Sequence, residues 1–143
     1  DEVSMTRLLK TTLRRRPDRI IVGEVRDGAA YDLLKAWNTG HPGGVSTTHA
    51  NSAQDTLERI ASLAMETNGN SAVPPISIIN KLIASTINIV VFIGRSSEII
   101  DGKTIHGRKV KQVAYVNGYD AAKEKFDFKF DAEEILKILR ESL

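Results

Sequence analysis

Cysteine is absent from this chain, so neither a disulfide scaffold nor a cysteine-ligated zinc site is available to it. The same absence agrees with a cytoplasmic setting. Long apolar runs are missing as well, and nothing approaches the roughly 20 residues that a membrane helix needs. There is little excess of charge. Twenty Lys and Arg against 18 Asp and Glu leave +2 over 143 residues, too small a surplus to argue for nucleic acid. Aromatic residues make up 6% and are not interleaved with the basic ones, so sequence-specific nucleic-acid binding is not expected. The opening segment, Asp1 to Lys10, is polar and acidic and does not resemble a secretory leader. Asp1 is not a natural start, which leads to the expectation that the chain was cut from something longer. No internal repeat or low-complexity tract is visible.

The remaining composition, 41% hydrophobic and 27% charged, is that of a soluble globular domain with one core. Met5, Leu8, Leu9, Thr12 and Leu13 follow helical spacing, with Pro17 as the stop. Ile20-Ile21-Val22 is short enough for a buried strand. A second helix is expected over Asp27 to Trp37, with Ala30, Leu33, Leu34 and Trp37 on one side. Gly43 to His49 reads as a strand running into a polar tip. Ser52 with Asp55 resembles a capping box for a third helix, and Thr67 to Pro75 reads as a loop. Ile76 to Ile87 is expected to be helical. Ile89 to Ile93 reads as the clearest buried strand, continuing a parallel sheet covered on both faces. Asp101-Gly102 marks a turn. Lys109 to Val116 and Phe126 to Phe130 are expected as antiparallel strands at the sheet edge, and Asp131 with Glu134 as the cap of a last helix. The class is therefore α/β, a mainly parallel sheet flanked by helices, with antiparallel strands and a helix at the end.

Two stretches could carry chemistry. In Arg14-Arg15-Arg16-Pro17-Asp18-Arg19-Ile20-Ile21-Val22-Gly23-Glu24-Val25-Arg26-Asp27 a buried strand ends in an acid, Glu24, which places a carboxylate at the carboxyl edge of the sheet. Open α/β sheets bind ligands at that edge. In nucleotide hydrolases such an acid orients the attacking water or holds magnesium through water. The other reading of Glu24 is a solvated turn residue. In Thr39-Gly40-His41-Pro42-Gly43-Gly44-Val45-Ser46-Thr47-Thr48-His49-Ala50-Asn51 a strand ends in hydroxyls and a histidine, at the edge where Glu24 belongs. An imidazole there can donate a hydrogen bond to a phosphate oxygen. His41 and His49 also read as a loop histidine and a half-buried, satisfied one. Two histidines without cysteines or a carboxylate cluster do not complete a metal site. Arg14, Arg15, Arg16 and Arg19 form the one basic concentration, which by itself reads as a solvated face.

Taken together and in this order, the two stretches resemble the Walker B segment and histidine box of the secretion ATPase superfamily of type II and type IV secretion. Asp32 to Gly44 looks closest to the conjugal-transfer branch. The resemblance is specific over Ser4 to Asn51. It implies the carboxy-terminal part of a RecA-like P-loop core, ATP with magnesium, and a homo-hexameric ring. It further implies work beside components of an inner-membrane secretion or conjugation apparatus, in the cytoplasm and peripheral to that membrane. It assigns catalysis to Glu24 and the γ-phosphate side to His49, and it puts Arg16 and Arg26 near the nucleotide or a subunit boundary. Gly23, where many P-loop enzymes carry aspartate, is normal in this family.

One departure is large. No Gly-x-x-x-x-Gly-Lys-[Ser/Thr] occurs anywhere in the 143 residues, so the phosphate cradle and its lysine are lacking. Residues 1–143 therefore read as a partial RecA-like ATPase domain, with Walker B and histidine box present and Walker A and the amino-terminal domain absent. By itself such a piece is expected to be inactive. The alternative reading is a non-catalytic remnant or assembly module that docks on secretion ATPase subunits.

Overall fold

The computed structural model describes residues 3–66 and 74–141. The expected loop from Thr67 lies outside the described residues, except for Pro74 and Pro75. Helix α1 (Met5–Leu13) begins where the Ser4 hydroxyl accepts from the Arg7 amide. It ends at Leu13, ahead of Pro17, with Arg16 in the left-handed region at φ 50°. Strand β1 (Ile21–Val22) follows, and helix α2 (Ala29–Asn38) starts where the Asp27 carboxylate accepts from the Ala29 amide at 2.9 Å. Strand β2 (Val45–Ser46) pairs with β1 in parallel, Ile21 opposite Val45 and Val22 opposite Ser46.

Helix α3 (Ala53–Met65) is capped by Ser52, whose hydroxyl accepts from the Asp55 amide at 3.0 Å. Helix α4 (Ile76–Thr86) starts directly after Pro75, a residue that fits a helix entrance because it has no amide to satisfy. Strands β3 (Ile89–Ile100), β4 (Lys103–Asp120) and β5 (Lys125–Lys129) form a separate antiparallel sheet in that order. Helix α5 (Ala132–Glu141) closes the chain, its start capped by the Asp131 carboxylate on the Glu134 amide at 2.8 Å. Among the described residues no helix is long and apolar enough to cross a membrane.

Two apolar clusters meet on α2, because its buried residues lie on two sides. Leu33 and Ala36 join Leu9, Ile20 and Val22, fastening α1 and β1 to α2. Ala30 and Leu34 join Leu57, Leu63, Ile79 and Ile83 with Val90, Ala114 and Val116 of the second sheet. Val25 packs against both clusters, so the segment carrying Glu24 is anchored immediately after that residue.

The structure corrects the expectation for Ile89 to Ile93. Val90 alone is buried there, while Ile89, Val91 and Ile93 are 37%, 50% and 56% exposed. The strand pairs antiparallel with β4 and takes no part in the parallel pair. A two-residue turn with positive φ at both Asp101 (51°) and Gly102 (74°) folds it back on the following strand. That turn geometry matches the twist of a hairpin. An apolar run cannot by itself distinguish a two-faced from a one-faced strand.

Candidate active site

β1 and β2 are only two residues long, but the chains stay joined beyond them. The Val25 amide donates to the Thr47 carbonyl at 2.9 Å, and the Thr47 hydroxyl donates to the Gly23 carbonyl at 2.6 Å. The Thr48 hydroxyl reaches the Val25 carbonyl at 3.4 Å. Glu24 therefore sits between two tethered peptides, at the carboxyl end of β1, as read from the sequence.

A second device fixes the same corner. The Trp37 indole of α2 donates to the Ile20 carbonyl at 3.0 Å and lies directly against Gly44. A Cβ at Gly44 would stand 2.0 Å from the indole nitrogen, so only glycine admits this approach ahead of β2. Helix, first strand and second strand are thus held at one point.

Both oxygens of the Glu24 carboxylate are engaged. Arg26 Nη2 lies 2.5 Å from Oε2, and His49 Nε2 lies 3.2 Å from Oε1. The Glu24 side chain is 22% exposed, against 78% for Arg26 and 95% for His49, so the cluster opens to solvent on both the arginine and the histidine side. The hydrogen bond from Arg26 pulls the Glu24 carboxyl below its ordinary value. Desolvation opposes this, and the charges of Arg26 and His49 reinforce it. Arg26 is correspondingly held above its ordinary value by the bond to Glu24 and by its charge. Beside the cluster lies a cavity of about 280 Å³, with Met5, Val22 and Leu33 forming apolar wall and Glu24, Arg26 and Asp27 the polar rim.

The structure brings Glu24, Arg26 and His49 together. Arg16 is exposed after α1, and among the described residues no hydrogen bond or ion pair links it to the three. His41 lies half-buried in the loop after α2 with its Nδ1 buried and unpartnered. The contributions of Thr47, Thr48 and Trp37 were not assigned from sequence. The run of hydroxyls before His49 was the available signal, but which carbonyls those hydroxyls reach depends on the pairing of β1 with β2.

A family model described as type II/IV secretion system protein matches residues 1–139. The chain belongs to that family. Relatives in the family include the conjugal transfer protein TrbB of Rhizobium radiobacter, 47% identical over 83% of this chain and 32% of its own length. The type IV secretion system protein VirB11 of Bartonella henselae is 37% identical over 76% of this chain and 28% of its own. Among solved structures, the VirB11 ATPase of the Brucella suis type IV secretion system, crystallised with sulphate, superposes with a TM-score of 0.66 at 33% identity. That match covers 79% of this chain and 32% of the other. The chain spans about a third of the length of these relatives. The α/β class, with helices around the sheets, an antiparallel group and a terminal helix, stands with this secretion-ATPase family.

Proposed function

We propose that this chain supplies the hydrolytic half of an ATP site in a secretion ATPase that drives type IV secretion or conjugal transfer. The observation that carries the reading is the convergence of Glu24, Arg26 and His49 at the ends of two parallel strands. A guanidinium and an exposed imidazole are donors suited to phosphate oxygens, and the carboxylate between them suits a water molecule or water-bridged magnesium. These residues fit ATP with Mg²⁺, although the loop that would cradle the β- and γ-phosphates is not among the 143 residues. When bound, magnesium would neutralise phosphate charge, with Glu24 holding it through water.

Glu24 accepts the proton of the attacking water and orients it. With Arg26 bonded to one oxygen and His49 close to the other, the carboxylate is ionised and a weaker base, since its proton affinity is lowered. Turning His49 and Arg26 toward a phosphate frees the carboxylate and raises its basicity. Arg16 faces the nucleotide or a neighbouring subunit from outside this cluster. The working protein is a homo-hexamer in the cytoplasm, peripheral at the inner membrane beside secretion or conjugation components. The chain alone is inactive. Turnover of a complete enzyme carrying Glu24→Gln tests this reading.

A further inference from the structure

We infer that Thr47 is a positioning residue for Glu24, its hydroxyl fixing the peptide from which the carboxylate projects. The inference rests on the reading of Glu24 as the base. The ladder between β1 and β2 ends at Val22 and Ser46, one residue short of Gly23. On the side where a side chain would project, Gly23 is open: a methyl added there would meet no atom beyond its chain neighbours within 4 Å. The carbonyl of Gly23 belongs to the peptide that leads into Glu24, and the Thr47 hydroxyl holds it at 2.6 Å. On the other side, the Thr47 carbonyl takes the Val25 amide at 2.9 Å. One residue of the histidine segment therefore grips the backbone both before and after the carboxylate. The backbone half of this grip survives any side-chain change, whereas the hydroxyl half does not. Without the hydroxyl, the Gly23–Glu24 peptide can rotate, and the carboxylate loses its aim at Arg26 and His49. A side chain that only capped a strand would have no such effect on a guanidinium three residues further on.

The test is made on this chain by NMR of the Arg26 guanidinium, whose terminal nitrogens are expected to give resolved, slowly rotating signals in the parent chain while paired with Glu24, and a parent chain without them would overturn the inference as well. Thr47→Val, close in shape but without a donor, is expected to collapse those signals toward a free guanidinium while the chain stays folded. Thr47→Ser is expected to retain them. Should Thr47→Val not fold, Thr47→Ala removes the same donor with less bulk and is read in the same way. In a complete enzyme Thr47→Val should lower kcat roughly tenfold, the effect of about one hydrogen bond, with KM within about twofold and activity restored by serine. Unchanged Arg26 signals in a folded hydroxyl-free variant, or their loss in Thr47→Ser, would overturn the inference. The guanidinium reports placement whether or not Glu24 is the base. Failure of that broader reading would appear instead as normal turnover in Glu24→Gln.

Discussion

His49 Nε2 lies 3.2 Å from Glu24 Oε1, a contact made across the parallel pair β1–β2 and not within either strand. Arg26 lies on the other oxygen at 2.5 Å, so each carboxylate oxygen faces a nitrogen from a different side chain.

Glu24→Gln in a complete enzyme keeps the shape of the side chain but removes its capacity to accept a proton. Hydrolysis is expected to fall at least about a hundredfold, the low end for a general base. ATP affinity should be kept or improved, since one negative charge beside a polyphosphate is lost. Turnover and affinity measured on one preparation decide the matter, and near-normal turnover removes Glu24 from the mechanism.

His49→Ala deletes a donor at a solvent-facing side of the cluster. One hydrogen bond to a charged group is worth about 1.5–3 kcal/mol, so turnover should drop about ten- to hundredfold with ADP affinity little changed. His41→Ala should matter less, because among the described residues no hydrogen bond or ion pair joins His41 to Glu24. Equal losses from the two changes would contradict this division.

The chain of 143 residues should bind ATP with magnesium only feebly, because most phosphate contacts in such sites come from a loop it does not contain. Calorimetry is the measurement. A magnesium-dependent affinity in the low micromolar range would require a second cradle for the phosphates.

Gly44→Ala is expected to destabilise the fold by about 1–3 kcal/mol through overpacking. The added methyl must displace the Trp37 indole, which would also give up the Ile20 carbonyl. Urea titration followed by Trp37 fluorescence reads both effects, and an unchanged midpoint would show that the indole is not held there.

Asp32 supplies a pH-dependent clasp between α1 and α2. Burial opposes its ionisation, but hydrogen bonds from Lys35 and from Thr6 at 2.8 Å, together with the charges of Lys35 and Lys10, outweigh burial and lower its value. A lowered carboxyl contributes stability above the ordinary aspartate value of about 4, and that contribution is lost as pH falls through the lowered one. Asp32→Asn should therefore be less stable than the parent chain near pH 7, with the gap narrowing below about pH 4. A gap independent of pH would mean that packing, not charge, is responsible.

The sequence by itself determined what depends on neighbours a few residues away. Helix starts at Ser52 and Asp131 followed from side chains able to reach an amide in the first turn. The Asp101-Gly102 turn followed from residues that tolerate positive φ. The resemblance of Arg14 to Asp27 and of Thr39 to Asn51 to segments of a secretion-ATPase family was legible because their residue types and order are specific, and the family match bears out the family. Tertiary structure decided the rest, because it depends on which distant segments pair. Apolarity read Ile89 to Ile93 as part of a covered parallel sheet, but it says nothing of the pairing partner, and pairing with β4 made the segment one arm of an antiparallel hairpin. Gly44 gave no sign in sequence that an indole would press on it. The grip of Thr47 on either side of Glu24 exists only because β1 and β2 run parallel in one register, which brings a hydroxyl to a carbonyl that no local rule connects.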